Sequence, residues 1–388
     1  MPDSASSDSD ELYYLKPEER VDLTNCDREP IHILPHVQPQ GVLFSLSPDE
    51  LTIRQVSSNT QAFLGMDAQT LAGEPIRTLL GTDGDLHLKT LAAAVASGQL
   101  EGNPRFIFQT ELNGKGPFHV VAHTYRGVAL LEAEPVKPAN SGAEEFSVLR
   151  TALARFDSAS SVLEFAQVAC EEIRKIMGFH RVMLYRFRPD ESGEVIAEDL
   201  DPEIANKVDS YLGLRYPATD IPKQARALFV LNTVRVTPDV GYEPAQLVPP
   251  LDPVTNKPLD LSYCLLRGQS PIHLEYLKNM GVYASVSLAV VRDGKLWGLF
   301  AAHHYEPRPL SYDIRSAIEY LTRVVALQLG AKEREDQAEY SEQIHGAMEA
   351  LIANLGVSRS IISALSSYTV TVRDLVNCGG CAVLVGNE

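Results

Sequence analysis

Residues 284–304, ASVSLAVVRDGKLWGLFAAHH, predict a β-hairpin around which an α+β domain is built. Both arms are rich in apolar residues, and the Asp-Gly pair at 293–294 is a strong two-residue turn signal. Towards the N-terminus, RVMLYRF at 181–187 and GEVIAEDL at 193–200 predict a second hairpin. An amphipathic helix predicted from about 145 to 177 precedes both hairpins. The pattern therefore predicts an antiparallel sheet flanked by helices.

A smaller mixed domain is predicted before this one. IHIL, GVLFSL and LTIRQVS are short strand-like runs, and RFIFQTEL, PFHVVAHTY and GVALLEAEP predict three longer antiparallel strands with apolar residues at every second position. Short helices are expected around 60–64 and 86–96. VKPANSGAEEF predicts a linker, and the first residues form an acidic, Ser-rich arm that we expect to be flexible. The predicted segments are the arm 1–20, a first domain 21–136, a second domain 145–330 and a C-terminal part 331–388.

The C-terminal part begins with a helical period that starts at Tyr312. Its middle, AKEREDQAEYSEQ, is too charged for a single-chain core, so we expect one very long helix that acts as a spine or a dimer contact. Two ordinary helices joined near 331–342 are the alternative. The last residues, TVTVRDLVNCGGCAVLVGNE, predict a helix and one strand of a third domain that continues beyond this chain. Cys378 and Cys381 in it are expected to lie on a buried strand, not in a metal site, because no second ligand pair follows.

Composition excludes several classes of protein. The formal net charge is −17 without a basic cluster, so nucleic acid and anionic membrane surfaces are not expected as partners. Five cysteines at irregular spacing do not indicate a disulfide framework. The N-terminus lacks an apolar signal core, and no apolar run of about 18 residues spans a bilayer. We therefore expect a soluble, cytoplasmic protein with reduced thiols.

Three segments contain residues that could react with a ligand or bind it. NCDREPIHI at 25–33 places Cys26 in a polar stretch beside a basic group, where a thiol is a candidate nucleophile, although this segment alone favours an inert exposed thiol. YPATDIPKQAR at 216–226 is a Pro-rich turn, and Arg226 or the later Arg235 could clamp a carboxylate or lie on a solvated face.

The third segment, SPIHLEYLKNMGV at 270–282, contains His273, and a lone histidine is more often structural than functional. Ser285 and Ser287 follow it on one strand face, so both can point into one cavity. His303-His304 resembles a metal pair, but adjacent strand residues point to opposite faces, so one of the two must point away from that cavity. No metal site is predicted.

Together these segments resemble the bacteriophytochrome family, from about residue 12 to the C-terminus. NCDREPIHI matches the N-terminal cysteine motif, YPATDIPKQAR the aspartate–isoleucine–proline signature, and SPIHLEYLKNMGV with KLWGLFAAHH the central chromophore-pocket run. The resemblance implies PAS and GAF domains, an N-terminal knot and the opening of a PHY domain. It also implies a red/far-red photoreceptor that attaches biliverdin IXα, a linear tetrapyrrole, to Cys26 without another enzyme.

The resemblance implies a set of residues that surround the bilin. They are Asp220, Ile221, Pro222, Phe229, Arg235, Arg267, Ser270, His273, Tyr276, Ser285, Ser287, His303, Tyr185 and Tyr216.

Within this set, the implied roles differ by ring. The backbone carbonyl of Asp220 would face the pyrrole nitrogens, and His273 would hold a water beneath them. Arg235 and Arg267 would bind the two propionates, assisted by the two serines of the strand. His303 would meet the ring D carbonyl, and the two tyrosines, Tyr185 and Tyr216, would line the cavity in which ring D rotates under light.

Several positions depart from patterns found among phytochromes. Plant and many cyanobacterial phytochromes attach their bilin through a GAF cysteine; here Ile272 stands there, so attachment falls to Cys26 and biliverdin is favoured over phycocyanobilin. Gln40 replaces the usual histidine of the knot segment, and Phe229 replaces a tyrosine near one propionate. Cys264 lies near the pocket motif but off the attachment position, so we expect a core cysteine.

The expected partners are biliverdin, a second copy of the chain through the long helix, and, in the full-length protein, an output such as a histidine kinase with its response regulator. The fragment carries no kinase motif, so no enzymatic activity is expected. Because it stops before the PHY hairpin that covers the pocket, we expect the far-red-absorbing photoproduct to be incomplete. The alternatives are a GAF sensor of a cyclic nucleotide or another small ligand, and a thiol enzyme that uses Cys26 or the C-x-x-C pair.

Overall fold

The computed structural model describes residues 28–81, 83–137, 142–376, 378–382 and 384. These residues form two compact units. The first contains the described residues up to Ser158 together with Ala166–Ala326, and so includes the two sheets that the described residues form. The second contains Ala159–Phe165 and the described residues from Leu327 onwards.

The first sheet has seven strands and carries three helices. Its strands are β1 (His36–Val37), β2 (Val42–Leu46), β3 (Ile53–Ser57), β4 (Arg105–Leu112), β5 (Lys115–Tyr125), β6 (Val128–Pro135) and β11 (Ala245–Val248), and its helices are α1 (Thr60–Leu64), α2 (Ala68–Leu71) and α3 (Gly84–Ala96). The strand order is β1-β11-β3-β2-β6-β5-β4, and all pairs are antiparallel. The three long strands and the helices are confirmed. IHIL forms turns, so its prediction as a strand is wrong.

The second sheet has six strands and forms the antiparallel frame predicted from residues 284–304. Its strands are β7 (Arg181–Phe187), β8 (Gly193–Leu200), β9 (Arg215–Tyr216), β10 (Val234–Thr237), β12 (Ala284–Arg292) and β13 (Lys295–His304), in the order β10-β12-β13-β7-β8-β9. Asp293 and Gly294 both adopt positive φ, at 49° and 73°, as a two-residue hairpin turn requires. Both predicted hairpins are confirmed, and helices α6 (Lys223–Leu231) and α7 (Pro271–Asn279) lie in the crossover.

The helix expected from 145 to 177 is two helices, α4 (Gly142–Ser158) and α5 (Val162–Met177). The Ser161 hydroxyl accepts a hydrogen bond from the backbone N–H of Glu164, and the Glu164 carboxylate accepts from the N–H and hydroxyl of Ser160. Such local side-chain bonds start a new helix. Because the apolar periodicity continues across the break, it did not predict the boundary between the two helices.

The C-terminal part is dominated by helix α8 (Tyr312–Val357), which is continuous over 46 residues. The single long helix is therefore confirmed over the two-helix alternative. A short helix α9 (Ile361–Ser366) and a 3₁₀ turn (Val372–Leu375) follow. The predicted buried strand is wrong for the described residues: Cys378 and Cys381 lie outside any strand, and Cys381 is exposed. None of the helices in the described part of the chain is long and apolar enough to cross a membrane.

The segment from Arg28 to Gln38 contacts the second domain directly. The N–H of Leu261 donates to His32, that of Gly268 to His36, and the Gln38 side chain donates to Val236 and Arg267 carbonyls. Strand β11 from the second domain also joins the first sheet between β1 and β3. The predicted knot involves residues before Arg28, which lie outside the described residues, and it stays a prediction.

Candidate functional site

One large cavity, of about 760 Å³, lies over one face of the second sheet. Its walls come from the loop that follows β9, from helices α6 and α7, and from residues 267–270. Every one of the fourteen residues proposed around the bilin lines this cavity: Tyr185, Tyr216, Asp220, Ile221, Pro222, Phe229, Arg235, Arg267, Ser270, His273, Tyr276, Ser285, Ser287 and His303. Cys26 lies outside the described residues.

Strand register explains how distant residues meet on the cavity floor. Arg235 on β10 pairs with Ser287 on β12, which pairs with Ala301 on β13. Two residues before Ser287 on β12, Ser285 pairs with His303. Because side chains alternate along a strand, these positions share one face of the sheet. The prediction that the two serines point into one cavity is confirmed.

Arg235 and Arg267 place two guanidinium groups in this cavity, and both side chains are buried. Arg235 donates through Nη2 to the carbonyls of Arg267 and Gly268, whereas its Nη1 has no partner among the described residues. Arg267 donates through Nη1 to the Ile31 carbonyl at 2.8 Å, and its Nε is likewise unpartnered there. Burial, and then the Arg267 charge, hold the pKa of Arg235 well below its usual range. The unpartnered N–H groups of these two buried guanidinium ions are suited to bind carboxylates.

Arg226 neither binds in the cavity nor lies on a solvated face, which were the two roles that its sequence context suggested. Its Nε donates to the Ile221 carbonyl at 2.7 Å, and its Nη2 donates to the carbonyls of Ala218 and Glu191. It therefore braces the loop that contains the aspartate–isoleucine–proline motif, and it is absent from the cavity lining. The guanidinium also lies 4.7 Å from the centre of the Phe187 ring, which favours this position.

The two histidines of the cavity are neutral at physiological pH. Burial lowers the pKa of His273 to about 4, and that of His303 to about 3. The Nδ1 atom of His303 has no partner among the described residues. His304 points the other way, as expected from strand alternation, and its ring stacks on His180 at 3.8 Å between centroids. A neutral imidazole donates one hydrogen bond through its N–H and accepts another at its bare nitrogen, which suits contacts with carbonyl groups and water.

Tyrosines and one carboxyl group surround the far end of the cavity. Tyr185 lies 6.1 Å from Tyr216 between ring centroids, and its hydroxyl has no partner among the described residues. Burial, with a smaller effect of the Asp220 charge, raises the pKa of Tyr185 to about 12. The Asp220 carboxyl group is hydrogen-bonded to Tyr276. The Tyr185 ring also rests on Gly193, where an added Cβ would lie 1.8 Å from it.

Glu29 is a cavity residue that the sequence reasoning did not select. It is buried, and its carboxylate accepts a hydrogen bond from the Ser270 hydroxyl at 2.5 Å. Burial raises the pKa of this carboxyl group, and the hydrogen bond opposes part of the effect. Its position three residues after Cys26, inside the quoted NCDREPIHI motif, was the available signal.

Comparison with protein families assigns both domains. The PAS fold model matches residues 26–136, and the GAF domain model matches residues 161–331. Cyanobacterial phytochrome B from Nostoc sp. is 39% identical over 94% of this chain and 48% of its own length. A bacteriophytochrome from Pseudomonas aeruginosa is 35% identical over 95% of this chain and 49% of its own length. The chain thus spans about half the length of the curated relatives it matches.

Solved structures agree with these matches. The chromophore-binding domain of a bacteriophytochrome from R. palustris is 37% identical, with a TM-score of 0.72, over 80% of this chain and 99% of that one. The photosensory core module of a Stigmatella aurantiaca phytochrome is 36% identical, with a TM-score of 0.77, over 92% of this chain and 70% of that one. The chain therefore belongs to the bacteriophytochrome family of photoreceptors, as a PAS–GAF module.

Proposed function

We propose that this chain is a red/far-red light sensor that binds biliverdin IXα in the cavity over the second sheet and attaches it to Cys26. The observation that carries the proposal is the pair of buried guanidinium groups, Arg235 and Arg267, in an otherwise largely apolar cavity. Each keeps one donor, Nη1 of Arg235 and Nε of Arg267, without a partner among the described residues. An uncharged ligand would leave these charges uncompensated. A long conjugated molecule with two carboxylates fits both features.

The cavity also fits the other end of such a ligand. His303 offers a ring nitrogen and Tyr185 a hydroxyl, and neither has a partner among the described residues. Unpartnered buried polar groups cost about 1–3 kcal/mol each, so a ligand that supplies acceptors or donors there is favoured. The volume of about 760 Å³ lies within the range of cofactor sites.

Different residues of the chain would bind the ligand and respond to its isomerisation. When bound, biliverdin absorbs red light and isomerises between Z and E forms at ring D. Arg235 and Arg267, assisted by Ser285 and Ser287, would hold the propionates. His303 would donate to or accept from the ring D end, and a change in that contact would be the first signal in the protein.

The same proposal covers the central part of the cavity. The Asp220 carbonyl and His273 would face the pyrrole nitrogens, with Ile221, Pro222 and Phe229 packing against the rings and Tyr216 near ring D. Ser270 and Tyr276 would keep Glu29 and the Asp220 carboxyl group in place through their hydrogen bonds. No substrate turnover belongs to this function.

We further propose that the chain works as a homodimer through helix α8, and that the complete protein passes the signal to an output such as a histidine kinase and its response regulator. The predicted domain limits, 21–136, 145–330 and 331–388, are kept as part of this proposal. Exposed apolar side chains on the second half of α8 support the dimer: Met348, Ile352, Leu355 and Val357. Analytical ultracentrifugation of Ile352→Glu, which we expect to be monomeric, tests it; a dimeric variant would contradict it.

Attachment to Cys26 is tested by incubating parent and Cys26→Ser with biliverdin and separating them on a denaturing gel that contains zinc. We expect a fluorescent band for the parent and none for Cys26→Ser, although the variant still becomes coloured in solution. Cys170→Ser is the control, because that thiol is buried. A fluorescent band for Cys26→Ser would move attachment to another cysteine. Absence of colour in both proteins, together with binding of a cyclic nucleotide, would favour a small-ligand GAF sensor.

A further inference from the structure

Three chemically different side chains meet inside the protein where the PAS sheet packs against the GAF domain. They are His123 on β5, Glu132 on β6 and Cys264 in the segment that leads to Arg267. One donor atom from each lies within 4.8 Å of the others, and the Cys264 Sγ is 3.9 Å from the His123 Nε2. Each residue is at most 1% exposed.

The fold fixes this cluster from both domains. His123 pairs with Leu130 across β5 and β6, so Glu132, two residues later, shares the same face of the sheet. The Glu132 carboxylate accepts hydrogen bonds from the backbone N–H groups of Leu265 and Leu266, at 3.0 and 2.5 Å. These bonds hold the segment beside Cys264 against the sheet, so the three donors are positioned by backbone structure.

Thiolate, imidazole and carboxylate are the three side-chain ligands that proteins use for Zn²⁺. With metal–ligand distances of about 2.3 Å to sulfur and about 2.05 Å to nitrogen, a tetrahedral ion separates these two ligands by about 3.6 Å. The observed separation of this pair is 3.9 Å, a few tenths of an ångström longer, and the three donor atoms all lie within 4.8 Å of one another, so an ion would draw the carboxylate inwards as well. One thiolate and one carboxylate neutralise a divalent cation, which is the charge balance that a fully buried site requires.

Without an ion, the imidazole is poorly satisfied. Its Nδ1 has no partner among the described residues, and its Nε2 has the long contact to the Cys264 sulfur. A thiol is a weak donor and a weak acceptor, so this contact compensates little of the cost of burying the ring. A coordinate bond at Nε2 would replace it with a strong interaction.

We propose that His123, Glu132 and Cys264 bind a zinc-class divalent metal ion that joins the PAS and GAF domains. The site is separate from the light-sensing proposal and holds whether or not a bilin is bound. Because all three ligands are buried, the ion has no route to a substrate and its role is structural. Arg267, which lines the cavity, lies three residues after Cys264. An ion bound to Cys264 would therefore also stabilise this wall of the cavity.

The test uses the full chain with Cys26, Cys378 and Cys381 replaced by serine, because these thiols could bind metal on their own. The protein is produced without biliverdin, since a bilin chelates zinc, in a medium supplied with Co²⁺, and is then washed with a chelator. Mass spectrometry gives the metal content, and near-ultraviolet absorption detects sulfur-to-cobalt charge transfer. We expect roughly one cobalt per chain together with the charge-transfer band.

Cys264→Ala and Cys170→Ala form a matched pair in this background, because both remove a fully buried thiol. We expect Cys264→Ala to lose the metal and the band, and Cys170→Ala to keep both. Equal metal in the two variants would overturn the proposal. If Cys264→Ala does not fold, the test rests on the protein that carries only the three serine replacements. Less than about a tenth of an equivalent of cobalt in that protein, or cobalt without the charge-transfer band, would overturn the proposal.

Discussion

Arg235 and Arg267 carry the main electrostatic cost of the cavity. Two cations in a buried site repel each other and have lost most of their hydration. Burial lowers the pKa of Arg267 to about 10, and burial, followed by the Arg267 charge, lowers that of Arg235 well below its usual range. Backbone carbonyls compensate part of this cost, through the bonds to Ile31, Arg267 and Gly268. A dicarboxylate ligand would compensate the remainder.

Replacing either arginine should therefore weaken bilin binding. In a Cys26→Ser background, where binding is reversible, we expect Arg267→Gln to raise the Kd for biliverdin about tenfold to a hundredfold, since a hydrogen bond to a charged group contributes about 1.5–3 kcal/mol. Absorption titration measures the Kd. The control is Arg215→Gln, whose side chain is 63% exposed. A Kd for Arg267→Gln within about twofold of this control would remove the arginine pair from the binding site.

Gly193 determines where the Tyr185 ring can lie. A methyl group there would meet the ring at 1.8 Å, so Gly193→Ala must push the ring towards the cavity. We expect the variant to fold and to bind biliverdin with a shifted absorption maximum and a changed photoconversion yield. Gly346→Ala is the control, because its added methyl meets no atom within 4 Å. Spectra identical to the parent would show that Tyr185 does not contact the chromophore.

At this scale, strand alternation predicted part of the site, and the resemblance to bacteriophytochromes implied the rest. Ser285 and Ser287 share a face because side chains alternate along one strand, and this could be read from sequence. That His303 faces the same cavity depends on the register between β12 and β13. The role of Arg226 could not, because its partners Glu191 and Ala218 are set by loop conformation. Glu29 was also missed, because burial of a carboxyl group in a polar stretch depends on the tertiary fold.

Among the elements, strand β11 links the two domains most directly. It belongs to the GAF crossover, yet it pairs with β1 and β3 of the PAS sheet. The four residues AQLV contain no pattern that identifies sheet partners such as Ser57, paired with Leu247, and His36, paired with Gln246, which lie far away in the sequence. Local periodicity predicts elements, whereas pairing between distant segments depends on the assembled fold. The break between α4 and α5 was missed for a different reason: three hydrogen bonds of Ser160, Ser161 and Glu164 start the new helix, whereas the apolar period continues across the break.

The start of helix α8 is tied to β6 by a buried ion pair. Arg315 donates to both carboxylate oxygens of Glu134, and both residues are buried. We expect Arg315→Met to lower the free energy of unfolding by about 3–5 kcal/mol, because it leaves Glu134 charged and buried. Urea unfolding measures this change. Arg323→Met is the control on the same helix, where an exposed pair with Glu319 should contribute no more than about 0.5 kcal/mol.

A second variant distinguishes the contribution of the Arg315–Glu134 ion pair to the free energy of unfolding from that of side-chain packing. Glu134→Met/Arg315→Met removes both charges, so we expect a double-mutant coupling of about 2 kcal/mol or more. Additive effects of the two single replacements would show that the ion pair does not hold the helix to the sheet.

For the whole molecule, buried histidines predict acid sensitivity of the bilin-free protein. The folded pKa of His303 is about 3, against an ordinary value of 6.5 in the unfolded chain. As the pH falls below 6.5 the unfolded chain takes up a proton that the folded protein excludes, so stability is full above that value and is lost below it. The loss is about 1.4 kcal/mol per pH unit for this residue.

Urea unfolding of the bilin-free protein between about pH 7 and pH 5 measures this effect. We expect His303→Asn to lose less stability than the parent over that range, by about 1.4 kcal/mol per unit in its lower part. Equal slopes for both proteins would show that His303 is protonated in the folded state.

The overall architecture was largely accessible from sequence. Hairpin turns, strand alternation and the long helical period gave the α+β class, both sheets in outline and helix α8. The C-terminal prediction failed for the described residues because a short apolar run beside Cys378 and Cys381 favours a strand only when a neighbouring strand pairs with it. In the structure these two cysteines lie outside any strand, and a 3₁₀ turn precedes them at Val372–Leu375.

The central claim is that this chain senses red light through a bilin in its cavity. The most direct test is the absorption spectrum of purified protein mixed with biliverdin, recorded before and after red illumination. We expect a strong band in the red that decreases under red light, and a much weaker band for the variant that carries both Arg235→Gln and Arg267→Gln. Folded protein that develops no red band, or a red band that light does not change, would contradict the account.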